Sequence, residues 1–342
     1  MTSTDTPETI ASPTPATATK PSPPAAVVNG APVMLALHQK ALGGPEVLRL
    51  TELPRPVPGP GEILVAVHAA GLNPTDFKHR ALSIFLPPPP LTLGWDVSGT
   101  VAATGFGVTL FKPGDEVFGM LPYPYGHGSH AEYVTGPTRA FVRKPAGLDH
   151  VQAAALPLAA LTAWQALVET AGLTAGQRVL IHAAAGGVGH LAVQLAKERG
   201  AHVTGTATAP KHDFLRELGA DACVDYRSED FTDAEERYDV VLDTLGGENA
   251  TRSVSVLRPG GVLVSLLPFG QDTVAAAEKA QVRAVTLLVE HDRAGMRAIS
   301  DLVQRGRLRV HVSDTFPLAE GARAHALAET GRTMGKLVLT VR

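Results

Sequence analysis

Gly186, Gly187 and Gly189 stand in the stretch HAAAGGVG, with the apolar run RVLI before it and a helix-spaced run after it. A turn of this kind can hold the pyrophosphate of a dinucleotide. Gly186 lets the backbone approach phosphate oxygens, and Gly189 lets the following helix pack close to its strand. The helix N-terminus around Val188 presents free N–H groups and the positive end of its dipole. The match to G-x-G-x-x-G is incomplete, because Ala184 stands where the first glycine belongs. The competing reading is a tight strand–helix turn that holds nothing. Phosphate binding requires a strand before the turn and a helix after it, and both are expected here, which favours the cradle.

The kind of dinucleotide is read about twenty residues further on, where an NAD site places an acidic residue against the ribose hydroxyls. Here that position falls in GTATAPKHD, and Thr206, Ala207 and Thr208 occupy the strand end. No carboxylate stands there to repel a 2′-phosphate. Thr206 and Thr208 can donate hydrogen bonds, and Lys211 can add charge. One charge-assisted hydrogen bond is worth about 1.5–3 kcal/mol, roughly a tenfold to hundredfold preference. Asp213, just beyond, acts the other way. The balance predicts NADPH.

These groups need elements to hold them. From Val33 to about His150 the chain is strand-like and rich in turns: GEILVAVHAAG alternates with period two, and LTLGWDVSGTVAATG and GDEVFGM are short runs bounded by Gly, Pro and Asp. HVQAAALPLAALTAWQALVETAG then has helical spacing with one proline step. From Arg178 strands and helices alternate. RVLIHA precedes a helix whose Leu191, Ala192, Leu195 and Ala196 share a face, and a short helix runs near Phe214, Leu215 and Leu218. The runs ACVDY, YDVVLDTL, GVLVSLL and VRAVTLLVE read as further buried strands. This rhythm predicts a doubly wound parallel sheet of the α/β class. A final helix, AGMRAISDLVQRG, and the strands RLRVHVSDTF and GKLVLTV complete the β-rich part.

Composition narrows the function. The 342 residues suit two domains, or one large one, with 44% hydrophobic and 18% charged residues as in ordinary globular proteins. A formal charge of −3 and 5% aromatics argue against a nucleic-acid partner, which needs a basic field and stacking platforms. The single cysteine, Cys223, excludes an intrachain disulfide and a cysteine-rich zinc site, and suits a reducing cytoplasm. Residues 1–32 are Pro, Thr, Ser and Ala with few large apolar side chains. They read as a disordered tail without the pattern of a secretory signal, and Met34 is a second candidate start. No apolar stretch has the length of a membrane span.

As a set, GPGEILVAVHAAGLNPTDFKHR, LGWDVSG, FKPGDEVFG, LPLAALTAWQAL, HAAAGGVGHLAVQLAK, YDVVLDTLGG, LRPGGVLVSL and GKLVLTV resemble the zinc-independent, quinone oxidoreductase-like group of medium-chain dehydrogenases/reductases. The resemblance runs from about Val33 to the C-terminus. It implies a GroES-like catalytic domain from 33–157 and 291–342 around a Rossmann domain from 158–290, with NADPH in the cleft between them. It also implies a homodimer pairing through the Rossmann sheets. That group's alanine-first glycine motif matches Ala183, Gly186 and Gly189. The likeness further implies that Thr162 meets the cofactor and that Tyr226 brackets the 2′-phosphate with Lys211. Thr244, Leu245, Leu266 and Leu267 would line the nicotinamide end, and Asn73 the cleft.

Zinc-dependent relatives carry a cysteine where this chain has GLNPTD, a His-Glu pair where it has GWDVSG, and a four-cysteine lobe, so with Cys223 alone neither of their metal sites can be built here. In YGHGSHAEY, strand alternation would put His127 and His130 on opposite faces, away from a shared ion. Without a Lewis acid, hydride transfer suits an acceptor that already stabilises negative charge: a quinone, or the C=C of an α,β-unsaturated carbonyl. Tyr123, Tyr125 and His127, in the loop LPYPYGHG, are the candidates for lining the pocket and supplying a proton. A stand-alone enoyl reductase acting on a CoA- or carrier-bound acyl chain, and an NADPH-binding protein without turnover, are the alternative readings. A metal-free alcohol dehydrogenase ranks behind both.

Overall fold

Six apolar runs meet in one parallel sheet. The computed structural model describes residues 27–28, 31–233 and 237–342. Its parallel strands are, from first to sixth in the chain, Arg178–Ile181, His202–Ala207, Ala222–Asp225, Tyr238–Asp243, Leu257–Ser265 and Arg283–Thr286. In space they lie in the order 3-2-1-4-5-6. Successive side chains point to opposite faces, so Val179 and Ile181 join one apolar cluster with Val203 and Leu242, while Leu180 joins another with Val241 and Leu263. Both faces are covered, which is why these runs are apolar throughout rather than alternating. Winding reverses between the first and fourth strands, opening a crevice at their carboxyl ends.

One run departs from expectation. VRAVTLLVE was expected to be buried, but only Arg283–Thr286 is strand, and its ends are exposed. It is the edge strand, with a neighbour on one side only, and Leu288 beyond it is 49% exposed.

The β-rich part holds a seven-stranded sheet that includes Glu62–Leu72, Asp96–Thr104, Glu116–Met120, Tyr133–Pro137 and Phe141–Arg143. Two strands from the far end of the chain, Val312–Pro317 and Lys336–Thr340, complete it. The last pairs antiparallel with Glu62–Leu72, setting Leu337 opposite Leu72. That register carries Lys336 to the residue after Leu72, namely Asn73. A smaller sheet joins Ala31–Gln39 to Leu48–Pro54 and Leu91–Thr92. Val27–Val28 pairs with Ala31 and Pro32, inside the stretch assigned to the tail. Residues 1–26 and 29–30 lie outside the described residues.

The two parts are joined by helical turns. Helix His150–Ala154 ends before Pro157, which starts the helix Pro157–Trp164 in the one helical position where its missing N–H costs nothing. Beyond Trp164 the chain continues as a wide helical turn to Thr170.

Candidate active site

The glycine turn sits at the mouth of the crevice. Its left-handed residue is Ala183 (φ 47°). Ala184 is fully buried, with its N–H donating to Thr206 O at 2.9 Å. Gly186 N–H turns back to Ala183 O, also at 2.9 Å. Gly189 begins the helix Gly189–Glu198, and a Cβ there would lie 2.5 Å from Ala183 O and 2.6 Å from Ala184 Cα. Only glycine allows that approach. Gly187 faces the other part of the molecule: its Cβ would lie 3.2 Å from Lys336 Cδ. Gly335 N–H donates to Ala185 O at 2.9 Å, tying the turn to the C-terminal strand.

Buried histidines brace this turn. His190, just after Gly189, has Nδ1 2.8 Å from Gly186 O and accepts from His311 N–H at Nε2 over 3.2 Å. Burial pushes it down to about 4, so the ring is neutral with its proton on Nδ1. His182 contacts Thr206 Oγ1 at 3.3 Å and Ser253 Oγ at 2.9 Å. Burial likewise holds it at about 4.

This bracing engages several residues expected to face the cofactor. Thr206 is buried and its hydroxyl takes the Ala183 N–H at 3.2 Å, so it fixes the turn rather than offering itself to a phosphate. Thr208, half-buried, holds the strand end, with its carbonyl accepting from Lys211 N–H. Thr162 donates to Leu158 O within its own helix. Thr244 reaches His182 O at 3.3 Å across the first and fourth strands. Leu245 is 52% exposed at the rim, while Leu266 and Leu267 are partly covered. The loop carrying Thr244 and Leu245 is shaped by Asp243, which no sequence signal singled out. Its buried carboxylate accepts from Leu245 N–H, Gly246 N–H, Asn249 Nδ2 and Ser265 Oγ.

Where the sequence places the 2′-phosphate, Lys211 Nζ donates to Arg332 O at 3.0 Å, bridging the second strand's end to the C-terminal segment. Tyr226 is 58% exposed. Asp213 pairs with Arg216 at 2.8 Å, so it does not oppose Lys211 as expected.

Across the cleft, Asn73 departs from its expected role. It is 2% exposed, and Nδ2 donates to Asp96 Oδ2 at 2.9 Å while Oδ1 accepts from Lys336 Nζ. Lys336 also donates to Leu72 O at 2.9 Å, and Asp96 Oδ1 accepts from Leu158 N–H at the start of the helix Pro157–Trp164. Asn73 therefore ties Asp96 to Lys336, with one amide N–H and its carbonyl oxygen engaged inside the protein. Lys336 and Asp96 were missed by sequence reasoning, since their partnership spans 240 residues.

The loop candidates divide. Tyr123 is half-buried against Trp95 (ring centroids 5.2 Å apart), and its oxygen accepts from Thr75 Oγ1 at 3.2 Å. Burial raises its phenol above the usual value. His127 Nδ1 is 2.6 Å from Thr92 O, and Tyr125 is 76% exposed. His130 does not share a strand with His127; it is fully buried near Asp76 and His325, and burial holds it at about 4. Among the described residues no group of three or more His, Cys, Asp or Glu side chains could hold a metal ion.

A doubly wound sheet with a glycine cradle, closed by a β-rich domain, defines a dinucleotide-dependent oxidoreductase. Residues 59–146 match the family of alcohol dehydrogenase GroES-like domains, and residues 218–339 match the family described as zinc-binding dehydrogenase. The mitochondrial NAD(P)H oxidoreductase RTN4IP1 of Danio rerio is 36% identical over 326 residues, covering 82% of this chain and 84% of the relative. The quinone oxidoreductase structure from Coxiella burnetii is 39% identical with a TM-score of 0.85, covering 91% of this chain and all (100%) of that one. The Escherichia coli quinone oxidoreductase complexed with NADPH is 28% identical with a TM-score of 0.83, covering 90% of this chain and 100% of that one. The chain belongs to the quinone oxidoreductase-like group of medium-chain dehydrogenases/reductases, and it is an NADPH-dependent oxidoreductase.

Proposed function

We propose that this enzyme passes hydride from NADPH to a quinone, or to the β-carbon of an α,β-unsaturated carbonyl, without a metal ion. The observation that carries the metal-free reading is the Asn73–Asp96–Lys336 cluster. Asn73 and Asp96 stand in GLNPTD and GWDVSG, the stretches in which the resemblance puts the ligands of zinc-dependent relatives, and the Lys336 amine is buried against both. Asn73 offers a poor metal donor, and the Asp96 carboxylate is already held by three donors.

NADPH supplies the hydride. The turn Ala184–Gly189 would hold its pyrophosphate and Lys211 its 2′-phosphate, with Tyr226 swinging in from the rim. The chain then has to orient the acceptor and stabilise the oxygen on which negative charge develops. Tyr123 is the donor placed for this, since its own proton has no protein acceptor among the described residues. Support for a homodimer comes from the exposed edge strand Arg283–Thr286, and support for a cytoplasmic setting from the single cysteine. No helix among the described residues is long and apolar enough to cross a membrane.

The test is the loss of reduced-nicotinamide absorbance with NADPH, and separately NADH, against a naphthoquinone, a 2-alkenal, a cyclic enone and a simple ketone. Turnover of the quinone or enones with NADPH preferred, unchanged after chelator dialysis, supports the reading. Ketone turnover with stoichiometric zinc overturns it. Turnover of a CoA- or carrier-bound enoyl chain alone moves the assignment to an enoyl reductase.

A further inference from the structure

Three arginines converge on a cavity lined by none of the residues assigned to the cofactor or the acceptor. Arg293 and Arg297 are one turn apart on the helix Arg293–Gln304, and Arg139 lies on the short turn Thr138–Ala140. Together they line a space of about 650 Å³. The helix is anchored by another face, where Gly295, Met296 and Ile299 are buried. A Cβ at Gly295 would lie 2.9 Å from Leu161 Cδ2, so the helix is fixed against Pro157–Trp164.

Guanidinium groups held this close usually meet carboxylates, and these do not. None of the three makes an ion pair or a side-chain hydrogen bond among the described residues. Arg139 and Arg297 reach in from exposed positions, while Arg293 is half-buried and its Nε–H is enclosed without an acceptor. Enclosed donors are nearly always satisfied, so this one lacks its partner. Burial disfavours the Arg293 charge, and so do the guanidinium groups of Arg297 and Arg139. Arginine does not shed its proton, so the repulsion stays. Two carboxylates share the walls. Asp292 has both oxygens engaged by the N–H groups of Ala294 and Gly295, and Asp301 is exposed and pairs with no arginine among the described residues. Three cations against two carboxylates leave the cavity positive, with three guanidinium forks open.

We propose that this cavity binds an organic phosphate, a small molecule carrying one or two phosphate groups on a carbon frame. A guanidinium fork matches two phosphate oxygens at once, which a single carboxylate or a halide exploits less fully. The volume is that of a pocket for a whole small molecule and far exceeds a bare ion. Ala294 and Ala298, one turn apart beside the arginines, leave an open apolar floor for the frame. The site stands independently of the acceptor reduced in the cleft.

The experiment is titration calorimetry on the NADPH-saturated protein, whose cofactor cradle is then closed to the probes. A hexose bisphosphate, an adenosine bisphosphate, inorganic phosphate and the uncharged hexose are compared. At least one bisphosphate should bind once per chain, inorganic phosphate at least about tenfold more weakly, and the hexose not at all. Arg293→Ala and Arg297→Ala should each weaken binding at least about tenfold. Arg216→Ala, which removes an arginine already paired with Asp213, should leave it unchanged. NADPH affinity should stay the same in all three variants, which shows that they fold. A second readout needs no ligand: in phosphate-free buffer Arg297→Gln should raise the urea midpoint, because it relieves repulsion. Neither bisphosphate binding, binding that survives both alanine substitutions, or a fall in that midpoint would each overturn the proposal. Inorganic phosphate binding as tightly as the bisphosphates would mean an adventitious ion only. An oligomer that Arg297→Ala dissociates, with no phosphate bound, would assign the cavity to a second copy of the chain instead.

Discussion

Lys336 Nζ lies 3.5 Å from Asp96 Oδ2, with the lysine 3% and the aspartate 0% exposed. This pair, with Asn73 bonded to both, joins the strands Glu62–Leu72 and Asp96–Thr104 to the last strand of the chain. It also backs the glycine turn, since Lys336 Cδ is the atom that Gly187 approaches. Removing the cation alone leaves a buried carboxylate uncompensated. Lys336→Met is therefore expected to cost about 3–5 kcal/mol in urea unfolding, while Lys336→Met with Asp96→Asn should recover much of it. The single variant should also bind NADPH more weakly, as read by fluorescence titration.

The glycine turn makes a graded prediction. Gly189→Ala puts a methyl 2.5 Å from Ala183 O and 2.6 Å from Ala184 Cα, both backbone atoms that cannot yield. Gly186→Ala meets only Ala183 O, at 3.2 Å. NADPH affinity should fall at least about tenfold in the first and much less in the second, since tenfold corresponds to only about 1.4 kcal/mol. Equal losses would show that the turn moves as a unit.

Lys211 is the residue proposed to set the choice between cofactors. Lys211→Ala should raise the NADPH Kd roughly tenfold to a hundredfold and leave NADH unchanged. Competition titrations of both cofactors on one preparation decide it. An unchanged ratio would move the 2′-phosphate away from this residue.

Buried titratable groups give stability two limbs in pH. Burial pushes Asp76 up to about 8 from 3.8, so its contribution is complete below pH 3.8 and is lost as pH rises through about 8. His130, His182 and His190 are held at about 4 against 6.5, so theirs is complete above 6.5 and lost as pH falls toward about 4. Each group adds a slope of up to about 1.4 kcal/mol per pH unit inside its window. Urea midpoints should therefore fall steeply on the acid side, and Asp76→Asn should flatten the alkaline side.

Much of this was legible before any coordinates. The switch from period two to strand–helix alternation located the parallel sheet, because a doubly covered strand must be apolar throughout. The stretch HAAAGGVG announced a tight strand–helix turn, because close backbone approach demands glycine at Gly189. The edge strand was misjudged, since the run VRAVTLLVE does not record how many neighbours it has.

What the sequence by itself determined is local: element types, the glycine turn, the missing carboxylate after Thr206 and the missing cysteine ligands. Only the tertiary structure decided which polar groups are engaged inside the protein and which stay free. Thr162, Thr206 and Asn73 looked like cofactor or cleft residues, yet each satisfies a neighbour's buried N–H, carbonyl or charge. Tyr123 meets Thr75 across 48 residues and Lys336 meets Asp96 across 240. Such pairings are set by strand register and close packing, which short-range spacing does not encode, and a hydrogen-bonding side chain is available to a ligand only after those demands are met.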